Sequence, residues 1–61
     1  MSAMNAYPAG TRVYFHEASG AITYGTIEST NHNEDGTQVA NIKLDGGGNH
    51  VLPVAVLVKV R

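Results

Sequence analysis

Glycine and proline cut this chain into pieces too short for an ordinary helix. Turn-forming clusters stand at Glu17-Ala18-Ser19-Gly20, at Asn31-His32-Asn33-Glu34-Asp35-Gly36 and at Asp45-Gly46-Gly47-Gly48-Asn49, and Pro53 interrupts the apolar C-terminal stretch. Asn, Asp and Gly tolerate the left-handed backbone angles that tight turns need. Between the clusters lie runs rich in β-branched and aromatic residues, with apolar side chains at alternate positions, the period of a half-buried strand. In the run from Arg12 to His16, Val13 and Phe15 share one face while Arg12, Tyr14 and His16 share the other. The second run, Ala21 to Thr30, carries Gly25 inside it, where glycine marks a bulge or a sharp bend. The third, Thr37 to Asp45, sets Ala40, Ile42 and Leu44 opposite Asn41 and Lys43, with Val39 breaking the alternation. His50-Val51-Leu52 reads as a fourth short strand, Val54-Ala55-Val56 as a single 3₁₀ turn, and Leu57 to Val60 as a last strand.

Five short strands with turns between them, and no helical periodicity longer than a turn, predict an all-β fold. The layout is similar to a small five-stranded SH3-like barrel with a one-turn 3₁₀ helix before the last strand. That barrel is expected over residues 11–61. Residues 1–10, small and polar and punctuated by Pro8 and Gly10, are expected to form a flexible N-terminal arm.

Size sharpens the expectation. A chain of 61 residues is one domain at most and buries only ~60% of the surface its unfolded form exposes. Chains this short usually lean on disulfides, a metal, self-association or very economical packing. There is no cysteine, which removes disulfides and thiolate zinc sites. Val51-Leu52-Pro53-Val54-Ala55-Val56-Leu57-Val58 is apolar at consecutive positions, so both of its faces call for cover. Two readings stand side by side: an internal turn and strand, or a homo-oligomer contact through Val54, Val56 and Val58. The second, a dimer or tetramer, would also answer the problem of size.

The charge balance argues against several partners. Four basic and five acidic residues, with a net charge of −1 and no basic block, do not suit a nucleic-acid backbone binder. No apolar run approaches the ~20 residues of a membrane span. The first six residues lack the cationic and apolar stretches of a secretory signal, so a cytoplasmic location is expected. His16, His32 and His50 are the only imidazoles and show no metal-ligand spacing, so no metal site is expected. The Asn31–Gly36 turn begins like a calcium loop, yet the twelfth position, which needs a bidentate acid, is Ile42. Gly46-Gly47-Gly48 is followed by neither Lys-Ser/Thr nor a helix, as a phosphate loop requires. Ser2, Ser19 and Ser29 have no evident His-Asp partners, and no catalytic residues are assigned.

Tyr14 and Tyr24 are predicted side by side on the outer face of neighbouring strands, where a cross-strand aromatic pair is often structural. With Glu17 nearby, they also suggest a shallow site for a cationic or proline-rich peptide, or for a small molecule. The expected function is therefore non-enzymatic: a self-associating barrel acting as a small binding module, without a cofactor.

One family shares this punctuation. Gly10-Thr11-Arg12-Val13, then Ser19-Gly20-Ala21 with Gly25 and Ile27, then Pro53-Val54-Ala55 with Leu57, resembles the plasmid-encoded type II dihydrofolate reductases that resist trimethoprim. The resemblance spans residues 10–60 and rests mostly on Gly, Pro and small apolar residues. It implies an alternative: a homotetramer binding NADPH and dihydrofolate in a shared pore. The family's V-Q-I-Y pore floor would fall on Asn49, His50, Val51 and Leu52, so the glutamine is replaced by His50 and the tyrosine by Leu52. Glu17 stands where the family carries a lysine that holds anionic ligands, a charge reversal that repels phosphates. The family's tryptophans are absent. The resemblance thus implies the fold and the assembly, with the catalytic motif not retained.

Overall fold

The computed structural model describes residues 7–60. Five antiparallel strands form one sheet: β1 (Arg12–His16), β2 (Ile22–His32), β3 (Gln38–Leu44), β4 (Asn49–Pro53) and β5 (Val58–Lys59). A single 3₁₀ turn, Val54–Val56, lies between β4 and β5. The strands are ordered β4-β3-β2-β1-β5, so β4 and β5 are the two outer strands. An all-β fold with these elements is as the sequence predicts. No helix among the described residues is long and apolar enough to cross a membrane. Most of the expected N-terminal arm, residues 1–6, lies outside the described residues; Tyr7 packs against the core, and the Gly10 N–H donates to the Ile27 carbonyl at 2.7 Å.

All three hairpins are closed by the same five-residue turn. In Glu17–Ala21, Asn33–Thr37 and Leu44–Gly48, the fourth residue's N–H donates to the first residue's carbonyl. The first residue's N–H in turn donates to the fifth residue's carbonyl. The fourth residue is Gly20, Gly36 or Gly47, with φ between 90° and 104°, the left-handed region that a side chain disfavours. This moves the second turn from its expected place. Asn31 and His32 belong to β2, paired with Val39 and Gln38, and the turn starts at Asn33.

The core is Val13, Phe15, Ile27, Ala40, Ile42 and Leu57, with Tyr7, Leu44, Leu52 and Val54 packed around it. The alternation places Val13 and Phe15 of β1 inside, and Ala40 and Ile42 of β3 inside, as expected from period 2. The register slips between Ile27 and Ser29, so the bulge in β2 lies there and not at Gly25. Gly25 answers a different need, a close approach of backbones: a Cβ on it would stand 2.8 Å from the Lys43 carbonyl oxygen.

The apolar C-terminal stretch is not internal in the single chain. Leu57 is buried and Leu52 and Val54 are half-buried, whereas Val51, Val56 and Val58 are exposed, Val51 by 64%. Alternation explains Val51 and Leu52, which point to opposite faces of β4. The irregular backbone of the 3₁₀ turn explains why Val54 faces the core and Val56 does not.

Candidate functional site

The phase of the first hairpin builds the most distinctive surface feature. Because the Glu17 N–H donates to the Ala21 carbonyl, Phe15–Thr23 and Val13–Gly25 are bonded pairs, and Tyr14–Tyr24 between them is not. Non-bonded pairs bring side chains closest. The two rings accordingly meet with centroids 5.5 Å apart and planes tilted by 49°. His16 approaches Tyr14 edge-on at 6.2 Å. On the far side, β5 places Val58 opposite Tyr14, and Ile22 lies opposite His16. Tyr24, Ile22 and Val58 are all exposed. The result is an apolar and aromatic strip across β2, β1 and β5.

One end of the strip is fixed by charge. Both terminal guanidinium nitrogens of Arg12 donate to Asp45, at 2.6 and 2.9 Å, and the guanidinium carbon lies 5.9 Å from the Tyr24 ring centre. Asp45 belongs to the β3–β4 turn, so this ion pair ties that turn to β1 across β2. Beside it, the Asn49 amide donates to Glu28 at 2.8 Å, which ties β4 to β2 on the same face.

Glu17 does not join the tyrosines. Its carboxylate accepts a hydrogen bond from the Thr23 hydroxyl, and Thr23 sits opposite Phe15 on the core-facing side. The acid at the tyrosine face is Asp45, already neutralised by Arg12. The residues matched to a pore floor also divide. His50 and Leu52 sit opposite Ile42 and Ala40 on the core-facing side, while Val51 sits opposite Asn41 on the outer side. The three suggested contact valines divide as well: Val54 packs on the core, Val56 is exposed on the 3₁₀ turn, and Val58 belongs to the tyrosine strip. The Arg12–Asp45 pair went unseen in the sequence, because nothing local marks two residues 33 apart as neighbours.

Hydrogen bonding from Arg12 holds the Asp45 carboxyl below its usual value of 3.8, and the Thr37 backbone N–H does the same for Asp35. A carboxyl lowered in the folded state stabilises it above the unfolded value, and loses that contribution as pH falls through the folded value. Stability should therefore decline in acid below about pH 4. Asp45→Asn should shrink the difference in urea midpoint between neutral pH and about pH 3. An unchanged difference would mean that the ion pair in the structure does not persist in solution.

No group of three His, Asp or Glu side chains placed to hold a metal ion occurs among the described residues. Comparison of the chain with family models, with curated proteins and with solved structures gives no match.

Proposed function

We propose that this chain is a cytoplasmic, non-enzymatic SH3-like barrel that self-associates and works as a small binding module. Its ligand is a proline-rich or apolar peptide segment docked on the strip of Tyr14 and Tyr24. The observation that carries the reading is the strip itself: two exposed or half-exposed tyrosine rings in contact, lengthened by Ile22 and Val58. Aromatic surfaces of this kind suit polyproline segments, whose preformed shape costs little entropy to bind. Tyrosine adds a hydroxyl and a large flat area with few rotors to freeze. Glu17 is turned away and Asp45 is paired, so a peptide whose recognition depends on cationic side chains fits less well. The strand order, the long β2 shared between β1 and β3, and the 3₁₀ turn linking the outer strands support the barrel description.

A second reading, a type II dihydrofolate reductase-like tetramer binding NADPH and dihydrofolate, is favoured by one observation. Asn49, His50 and Val51 are exposed on an outermost strand, where subunits could share them. One titration separates the two. Amide signals of the isotopically labelled chain are followed with a proline-rich peptide and, separately, with NADPH plus dihydrofolate. Shifts at Ile22, Tyr24 and Val58 with the peptide are expected, with affinity lowered about tenfold or more by Tyr24→Ala. Shifts centred on residues 49–52, with NADPH consumption above that of a His50→Ala control, would overturn the module in favour of the reductase.

A further inference from the structure

From Gly46 to Val58 the chain carries no Asp, Glu, Lys or Arg. This stretch contains the outermost strand β4, and natural sheets usually guard such edges with charges, prolines, bulges or very short strands, of which β4 carries only Pro53, at its last position. At the opposite edge the guard is present: β5 is two residues long and one of them is Lys59. Strand β4 is five residues long, without a bulge in its pairing to β3.

The phase of the last hairpin decides which backbone groups the edge offers. The Leu44 N–H donates to the Gly48 carbonyl at 3.0 Å. Bonded pairs alternate along an antiparallel ladder. Ile42–His50 and Ala40–Leu52 are therefore the bonded pairs, and the N–H and C=O of Asn49 and Val51, with the carbonyl of Pro53, point to the open side. Pro53 lacks only an N–H, and on that side it takes nothing from the ladder with β3.

We infer that this edge pairs with the same edge of a second copy, antiparallel, about a two-fold axis at Val51. In that register Val51 and the partner's Val51 exchange N–H···O bonds, and each Asn49 N–H meets the carbonyl of the partner's Pro53. The missing proline N–H falls at the end of the paired segment, where it costs the least. Because the edge is free of formal charge, its approach to itself meets no like-charge repulsion. A second copy is the occupant because the pattern is self-complementary about Val51, and because a chain this short buries only ~60% of the surface its unfolded form exposes and gains from further burial. The inference deepens the self-association proposed above and rests on it, and it moves the contact from the valines at 54, 56 and 58 to the β4 edge.

The chain has no cysteine, so single-cysteine variants report on one site each. Opposed residues of a bonded antiparallel pair have Cα atoms about 5.5 Å apart, within disulfide range. Val51→Cys should be captured as a covalent dimer on oxidation or with a short thiol-to-thiol linker, and Val56→Cys should stay uncaptured. Val51→Pro removes only an edge N–H. It should return the native mass to that of one chain, 6.4 kDa, with its amide dispersion retained. A wild-type mass of one chain would overturn both the inference and the self-association beneath it. An assembly in which Val56→Cys is captured and Val51→Cys is not would overturn the β4 edge alone. So would an assembly of undiminished mass in Val51→Pro.

Discussion

Phe15→Ala is expected to remove at least a third of the chain's folding stability, enough to unfold it if the native stability lies at the lower end for its length. Phe15 is the only phenylalanine, it is 6% exposed, and it is one of six buried apolar residues among those described. Removing a buried phenylalanine side chain costs about 3–5 kcal/mol, because the lost transfer energy adds to the cavity left behind. The total stability of a natural domain is about 0.05–0.15 kcal/mol per residue, or about 3–9 kcal/mol for a chain of this length. One substitution thus removes a third of that stability at the least, and at the most exceeds it. Circular dichroism and amide dispersion would report the loss, and Phe15→Leu, which keeps more of the apolar volume, should cost less than Phe15→Ala. Measurement at two protein concentrations separates core loss from any mass-action contribution of assembly. A folded Phe15→Ala with a wild-type midpoint would mean that the core lies elsewhere.

Gly25→Ala is the second large effect, and it comes from a single added methyl group. A Cβ at Gly25 would lie 2.5 Å from Ile42 Cγ2 and 2.8 Å from the Lys43 carbonyl oxygen. The first obstacle is the γ-methyl on the branched Cβ of fully buried Ile42, which moves only if that stiff side chain repacks. The second is backbone, held in the ladder between β2 and β3, and it moves only if the strands part. Overpacking of this kind costs about 1–3 kcal/mol, and contact with a fixed carbonyl puts it at the upper end. Urea midpoints give the value. A double variant with Ile42→Ala locates the clash: if the carbonyl is the obstacle, the two losses add, and if the methyl is, the second change relieves the first. Both obstacles are fixed, so Ile42→Ala is expected to relieve the loss only in part, leaving the carbonyl's share.

Punctuation made the fold readable from residues alone. Gly20, Gly36 and Gly47 each take the fourth turn position, where φ is positive, and alternation around Val13, Phe15, Ala40 and Ile42 named four of the six buried core residues among those described. Pro53 and the small residues after it marked the 3₁₀ turn. The same local logic paired Tyr14 with Tyr24, because a hairpin of known turn length fixes the register. What stayed hidden depends on where a side chain leans or on contacts across a third strand. Glu17 looked close to the tyrosines in sequence, yet alternation sets it on the opposite face, with Thr23. Arg12 and Asp45 meet only after β2 has come between them. Val54 and Val56 read alike in an apolar run, and only the twist of the 3₁₀ turn separates them.

The order of the strands also has a kinetic side. β1 to β4 pair with their neighbours in sequence through the same short turn, and closing such loops costs little entropy. Only β5 must return across most of the chain, to set Val58 and Lys59 against Tyr14 and Val13. A pairing that closes so long a loop for so few bonds forms late during folding and opens early when the native state fluctuates. The Val58 end of the tyrosine strip therefore rests on the least durable pairing in the sheet, whereas Tyr14 and Tyr24 rest on the locally closed hairpin of β1 and β2. A ligand spanning the strip would fasten that last strand, so recognition and the completion of folding would be drawn from the same free energy.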